Sequence, residues 1–443
     1  MLSKHLISSV LTQVPVFILG VLSGVFSTRI LGDEGKGVFS LFQANAQLFV
    51  LVFSLGIQTG IVYFISSKKI NERYVIGMAI SVFGVCSLLL IGLLIISSLT
   101  DAGSFFLPEG YTSPVYLMAL FIMFLLSFLN SILGAVFQAH SKFNTINFIA
   151  LTNSIINVLA FTSLFFMFES ETKSAIERFN TILGITISVL LINSLLWLYN
   201  YSRNIALKPD FNFDFKNQFK TFISYNTSIY IGMFINFFNY RLDLWIVNHY
   251  LNDKELSYYS LAANINQIIL FLAVTIASVM LPNLSGKSET ERTETFIKVS
   301  RLCFALFFLI TFIGYLLSAW IIPFMYGSEF ESTVIPFQVI LPGMLFSCIT
   351  QVFSIYVVSS NRNIYNITAC SIGLIFTLIL DLWLIPQLGI YGAAIATTLS
   401  YFAIFVVTYL FVINHTKKRT LNLFIPLPGD VRQVIHLLSS RTK

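Results

Sequence analysis

The stretch "VIGMAISVFGVCSLLLIGLLIISSL", residues 75–99, runs without one charged side chain. A helix needs about 20 such residues to cross the hydrocarbon core of a bilayer. The whole chain shares this character, because 56% of its 443 residues are hydrophobic, only 10% are charged, and the mean hydropathy is +0.82. These values lie outside the range of soluble globular proteins. The stretch is therefore interpreted as one span of a polytopic membrane protein.

Similar apolar stretches occur on both sides of residues 75–99. They lie near residues 7–28, 38–66, 114–139, 143–168, 179–200, 222–248, 257–283, 302–322, 333–359, 364–385 and 390–413. Lipid cannot satisfy exposed backbone groups, and the alternating pattern of a membrane β-barrel is absent from the sequence. The sequence therefore predicts an all-α fold with twelve transmembrane helices.

The lysines and arginines indicate how these helices are oriented. If the N-terminus is cytoplasmic, most of the 26 basic residues fall in the connections on the cytoplasmic side, as membrane proteins prefer. We therefore expect both termini to be cytoplasmic. The same bias accounts for the net charge of +6, and no basic patch suggests nucleic acid as a partner.

The polar residues give no sign of catalysis. No connection is long enough to hold a catalytic domain, and the four cysteines lie within predicted spans without a C-x-x-C spacing. The five histidines lie at helix ends or in the tails, and none clusters with a carboxylate and a nucleophile. We expect neither an enzyme nor a metal site.

An internal repeat divides the chain into two halves. The segment "LGDEGKGVFSLFQANAQ" (31–47) matches "LNDKELSYYSLAANINQ" (251–267) at five positions, and this offset of 220 places the first span over the seventh. Duplicated halves are common in transporters, whose central cavity lies between them. The predicted parts are an N-lobe (1–200), a cytoplasmic linker (201–220), a C-lobe of six further helices (221–414) and a basic cytoplasmic tail (415–443).

Three segments resemble a known family. "TRILGDEGKGVFSL" (28–41) resembles the R-x-L-G-P-E-G-x-G segment of the polysaccharide-transporter branch of the MOP exporter superfamily, with Asp33 in the proline position. "YRLDLWIVNHYL" (240–251) resembles the R-x-D segment of its seventh helix. "LGIYGAAIATTLSY" (388–401) resembles the segment leading into its twelfth helix. The resemblance covers essentially the whole chain and implies a MATE-like fold of two six-helix lobes.

The resemblance also implies a function. Wzx-type flippases of this branch move undecaprenyl-diphosphate-linked oligosaccharides, such as O-antigen units, to the outer leaflet of the bacterial inner membrane by alternating access. It implies no cofactor, and it suggests a polysaccharide polymerase and a chain-length regulator as partners beside the lipid bilayer. A proton or sodium gradient is left open as the driving force. The lipid II flippase branch carries two additional helices that this chain lacks.

Two charges in the seventh span need an explanation. Arg241 and Asp243 are two residues apart, so they point about 200° from each other on a helix, and each needs its own partner. Asp381 is the other ionisable residue well inside a span. One interpretation is a structural gate that pairs Arg241 with Asp381 and Asp243 with Arg29. The other is that Arg241 binds the diphosphate, because a guanidinium matches phosphate oxygens. Asp243 and Asp381 are also the candidate residues for ion coupling.

Further polar residues are consistent with a sugar path, although hydrogen bonding between helices is the simpler explanation for each one. The predicted substrate-binding set is Arg29, Asn45, Gln47, Asn153, Asn157, Arg241, Asn264 and Gln267. The first alternative function is a cation-coupled multidrug exporter of the MATE branch, which the lack of Asp or Glu in the first six spans disfavours. The second is a polysaccharide polymerase or ligase, which the lack of a large external loop disfavours.

Overall fold

The computed structural model describes residues 2–100, 107–108, 110–168, 174–285, 287–416, 421–425 and 427. Within these ranges the chain is helical and contains no strand. The helices are α1 Leu2–Ser54, α2 Ile57–Ser67, α3 Glu72–Leu99, α4 Pro114–Ala139, α5 Phe143–Phe168, α6 Ala175–Asn204, α7 Lys220–Tyr250, α8 Asp253–Ser285, α9 Glu289–Tyr326, α10 Val334–Ser359, α11 Ile364–Leu388, α12 Ile390–Thr416 and α13 Leu421–Phe424. Most of the predicted tail, 415–443, lies outside the described residues.

The twelve predicted spans are confirmed. Ten helices of the described chain are long and apolar enough to cross a membrane. One of them, α1, contains two spans, because Gly32 has a non-helical backbone (φ 66°, ψ −172°) that bends the chain between them. The helix α7 is not among the ten, but its 31 residues exceed the roughly 20 that a span requires.

Helix α3, which contains residues 75–99, has one face buried in the protein and one exposed face. On α3, Met78, Ala79 and Leu90 are buried, whereas Leu88 and Leu99 are 73% and 81% exposed. Apolar side chains on an outer face are what a helix presents to lipid tails. The charge-free composition of residues 75–99 therefore serves both the protein interior and the bilayer.

The second predicted span, 38–66, is not continuous. The helix breaks at Leu55 and Gly56, whose φ angles are 49° and 70°, and α2 begins anew at Ile57. Glycine reaches this left-handed backbone at little cost because it has no Cβ, but a leucine there is strained. Hydropathy reports burial in lipid and does not report backbone conformation, so the apolar stretch 38–66 does not reveal this break.

The chain forms two compact units. Unit 1 comprises Met1–Phe237 and Asn252–Ser257, and unit 2 comprises Phe238–Leu251 and Tyr258–Lys443. In unit 1, Phe42, Phe124, Phe128 and Phe179 are fully buried. Phe42 meets Phe179 edge to face, with ring centroids 5.3 Å apart. Large buried rings of this kind supply the packing that holds the helices of unit 1 together.

The internal repeat has a structural counterpart in unit 1. The backbone N–H of Gly37 donates to Oγ of Ser257 at 2.6 Å, and these two residues occupy equivalent positions in the two copies of the repeat. A Cβ on Gly37 would collide with the backbone at Leu256 and Ser257. Beside this contact, Nζ of Lys254 lies 3.2 Å from Asp33, the residue that stands in the family's proline position. The glycine is therefore required by a close approach between the two repeated segments.

Glycines also bring the helices of unit 2 together. A Cβ on Gly343 of α10 would meet Thr398 of α12, and one on Gly392 of α12 would meet the carbonyl of Leu384 in α11. Small residues at helix contacts let the backbones approach closely, which is how helices associate in lipid. This packing carries Thr397 of α12 into the interior of unit 2, where it is 8% exposed.

Candidate functional site

Asp243 is held by two neighbouring helices of unit 2. Its carboxylate is 6% exposed, and it accepts hydrogen bonds from the hydroxyl of Tyr259 on α8 and from the N–H of Leu244 at 2.9 Å. The hydroxyl oxygen of Tyr259 also lies 3.0 Å from Oγ1 of Thr397 on α12. Tyr259 gives its one proton to Asp243, and Oγ1 of Thr397 donates to the carbonyl of Ala393 at 2.9 Å, so the two hydroxyls bond to each other only when Thr397 turns its proton away from that carbonyl. Helix α8 therefore contacts the buried carboxylate directly, and α12 contacts Tyr259.

Asp381 of α11 is the second buried carboxylate of unit 2. It is 0% exposed, and neither of its oxygens has a hydrogen-bond partner in the described chain. The negative charge of Asp243 acts on it unfavourably. An unpaired buried carboxylate is costly, so Asp381 is a candidate to bind a proton.

Arg241 does not form the predicted ion pair with Asp381. Its Nη1 donates to Oδ1 of Asn264 on α8 at 3.2 Å, and Asp381 accepts no hydrogen bond from any described residue. The partner is a neutral amide because α8, rather than α11, presents a polar side chain to the guanidinium. Arg241 also experiences the attractive charge of Asp243. The predicted pairing of Asp243 with Arg29, a residue of unit 1, stays a prediction.

Unit 1 contains a cavity of about 490 Å³. Helices α1, α2, α4, α6 and α7 contribute to it. The lining residues are Gln43, Ala46, Gln47, Val50, Leu51, Ser54, Gln58, Met123, Ser127, Thr186, Leu190, Met233 and Phe237. None of these residues is charged, and the polar ones carry only amides and hydroxyls.

Of the predicted sugar-path residues, Gln47 lines this cavity. Asn45 is fully buried and engages another residue, so it belongs to the packed interior. Asn157 donates from Nδ2 to the carbonyl of Asn153 at 2.9 Å, and neither residue lines the cavity. Gln267 is half-buried on α8.

Sequence reasoning missed the lining residues Gln43, Ser127 and Thr186. One signal was present, because Gln43 and Gln47 are four residues apart and therefore share a helix face. The serine and threonine gave no such signal, since hydroxyl residues in membrane helices often bond to their own backbone. Thr186 does so, to the carbonyl of Ile182 at 2.8 Å. Tyr259 and Thr397 were missed for a similar reason, because both side chains are uncharged and such residues are common in membrane helices.

The described helices define a multi-pass α-helical membrane protein. A family model described as polysaccharide biosynthesis protein matches residues 2–287, and the chain belongs to this family. The predicted membership of a polysaccharide-biosynthesis family is thereby confirmed.

One similar protein is a probable low-salt glycan biosynthesis flippase of Haloferax volcanii. It is 22% identical over 387 residues, which cover 86% of this chain and 77% of that protein. A solved structure of the lipid II flippase MurJ in an inward closed conformation has a TM-score of 0.71 and 20% identity, covering 94% of this chain and 89% of that one. An inward-facing MATE family multidrug resistance transporter of the MOP superfamily has a TM-score of 0.67 and 14% identity, covering 91% of this chain and 96% of that one. These structures share the MATE-like fold that the sequence predicted.

Proposed function

We propose that the protein flips an undecaprenyl-diphosphate-linked oligosaccharide, such as an O-antigen unit, from the cytoplasmic to the outer leaflet of the bacterial inner membrane. Transport proceeds by alternating access, and both termini are cytoplasmic. Family membership and the likeness to a named glycan flippase support this function. The observation that carries it is the environment of Arg241.

Arg241 is a cation inside a spanning helix, which is costly and usually signals function. In the described chain its guanidinium makes one hydrogen bond, to the neutral side chain of Asn264, although the group has five N–H donors. Asn264 fixes the orientation of the guanidinium without cancelling its charge. A diphosphate offers oxygens that accept two parallel N–H bonds, so it is a well-matched ligand for the remaining donors.

The two buried carboxylates suit a coupling role in the same unit. Asp381 has no hydrogen-bond partner in the described chain and lies within electrostatic range of Asp243. A proton or a sodium ion bound there during part of the cycle would remove the repulsion, and its release would restore it. We propose that the gradient acts through this pair.

A multidrug exporter of the MATE branch is the second candidate function. The fold is compatible with it, because a MATE transporter is among the similar structures. A cationic drug is best held by a carboxylate, however, and none of the described residues that line the 490 Å³ cavity of unit 1 is charged. We therefore favour the glycan flippase.

The test of the proposed function begins with gene deletion, which should cause lipid-linked oligosaccharide to accumulate in the cytoplasmic leaflet. Complementation with Arg241→Lys should restore flipping poorly at equal protein levels, because the lysine ammonium is a point charge and cannot form the two parallel hydrogen bonds of a guanidinium. Loss of one charge-assisted hydrogen bond, about 1.5–3 kcal/mol, corresponds to a decrease of roughly 10- to 100-fold. Arg362→Lys, at an exposed arginine, is the matched control and should behave as wild type.

Two results would contradict the proposal. A deletion strain without accumulated lipid-linked oligosaccharide would show that the substrate class is wrong. A double variant Arg241→Ala, Asp381→Ala that flips at the wild-type rate would show that Arg241 serves only to neutralise a carboxylate in another conformation, since removing both charges leaves neither one alone.

A further inference from the structure

The cavity of unit 1 has open hydrogen-bonding capacity. Nε2 of Gln58 donates to Oγ of Ser131 at 3.1 Å, whereas Oε1 of Gln58 is buried without a partner. Gln43 is half-buried and Gln47 is exposed, so their amides, which form a polar wall with Gln58, are open to a ligand. Buried polar groups are nearly always paired, and Oε1 of Gln58 can therefore accept a hydrogen bond from a ligand that has hydroxyl or amide groups.

The orientation of the wall is fixed by the fold. Ser54 is the last residue of α1 and Gln58 lies in the first turn of α2, on either side of the break at Gly56. The bond to Ser131 on α4 holds the amide of Gln58 with its carbonyl oxygen unused.

The rest of the lining is apolar. Val50, Leu190, Met233 and Phe237 supply surface next to the polar wall. Sugar rings carry both hydroxyl edges and C–H faces, and an aromatic ring such as that of Phe237 is a suitable surface for a C–H face. A volume of about 490 Å³ lies within the roughly 300–1,000 Å³ of small-molecule sites.

We propose that this cavity binds uncharged sugar residues of the transported glycan, and that it discriminates against acidic sugars. The inference rests on the proposed function and names the substrate class of the same transporter. A uronic acid entering this cavity would lose its water and find no cation among the lining residues. Neutral hydroxyl and acetamido groups would instead satisfy the amide oxygens and nitrogens that are now open. The charged diphosphate of the lipid would be bound by Arg241 in unit 2.

The test measures sugar binding by the purified full-length protein in lipid nanodiscs, without transport. The probes are the neutral tetrasaccharides chitotetraose and maltotetraose and the acidic tetragalacturonate, titrated while spectroscopy or thermophoresis records saturation. We expect at least one neutral probe to bind and tetragalacturonate to bind at least tenfold more weakly. Gln47→Leu combined with Gln58→Leu should weaken the neutral probe about tenfold, the effect of losing two neutral hydrogen bonds.

The Gln47→Arg variant separates a role of Gln47 in sugar binding from a purely structural role. It places a guanidinium in the cavity and should raise the affinity for tetragalacturonate while lowering that for the neutral probe. Gln138→Arg, at an exposed glutamine near the end of α4, is the matched control and should change neither affinity.

Several outcomes would overturn the inference. They are binding of tetragalacturonate by wild type as tightly as the neutral probes, binding of no probe, and a Gln47→Arg variant with unchanged preference. If the double leucine variant does not fold, the probe preferences of the wild type and of Gln47→Arg still test the inference. These binding measurements are independent of the accumulation assay. Normal flipping together with the wrong sugar preference would refute only the proposal about the cavity. A deletion strain that accumulates no lipid-linked oligosaccharide would refute the proposed flippase function.

Discussion

Removing one hydroxyl tests how Asp243 is held. The Tyr259 hydroxyl donates to the carboxylate of Asp243 and contacts Thr397 at 3.0 Å, and the ring is fully buried. Tyr259→Phe keeps the ring and deletes only these hydrogen bonds. Asp243 then retains the N–H of Leu244, but its second oxygen is left without a donor in the interior of unit 2.

The expected cost follows from the charge and burial of the acceptor. A hydrogen bond to a charged group contributes about 1.5–3 kcal/mol, and leaving a buried acceptor unpaired costs its desolvation. We expect the variant to lose about 2 kcal/mol of unfolding free energy. For a cooperative unit of about 150–250 residues, each kcal/mol lowers the unfolding temperature by about 2–4 °C. The expected decrease is therefore about 4–8 °C.

The native cysteines provide the assay. Cys86, Cys303 and Cys348 are free and buried, so a fluorogenic thiol reagent reacts with them as the detergent-solubilised protein unfolds. Tyr401→Phe is the matched control, because Tyr401 is also buried, at 5% exposure, while its hydroxyl makes no hydrogen bond to another described residue. Its unfolding temperature should stay within about 1 °C of wild type, as expected where no such interaction is lost.

Equal unfolding temperatures for the two phenylalanine variants would refute this reasoning. They would mean that the Tyr259 hydroxyl does not stabilise an ionised Asp243, and the case for a charge-bearing site among α7, α8 and α12 would fail. A decrease confined to Tyr259→Phe, together with altered gradient dependence of flipping, would link this hydrogen bond to coupling.

Three other predictions concern coupling, topology and packing. If a proton or sodium gradient drives flipping, Asp243→Asn or Asp381→Asn should remove the gradient dependence, and a full response in both variants would exclude this pair as the ion site. A cysteine at the exposed Ser113 should react with an impermeant maleimide added to the periplasmic side, and one at Thr290 should not; the reverse pattern would invert the topology. Gly392→Ala should destabilise the protein by about 1–3 kcal/mol, because its methyl group would collide with a backbone carbonyl of α11, and an unchanged unfolding temperature would contradict that packing.

The sequence by itself determined the all-α fold and its twelve spans. Both follow from local properties, because a run of apolar residues long enough to cross the bilayer must also pair its own backbone groups. It also singled out Arg241, Asp243 and Asp381, since an ionisable residue is conspicuous in an apolar run. The match between 31–47 and 251–267 indicated the duplication, and the contact of Gly37 with Ser257 gives that match a physical basis.

Only the tertiary structure decided which side chains meet. Rotation of each helix about its axis gives Arg241 the amide of Asn264 as its hydrogen-bond partner, and it gives Asp243 the hydroxyl of Tyr259. The break at Gly56 and the amide-lined cavity likewise depend on how five helices of unit 1 pack. Hydropathy fixes that a helix lies in lipid, but lipid is nearly uniform around it. Partners are therefore chosen by the shape and polarity of neighbouring helices, which no single segment of sequence contains.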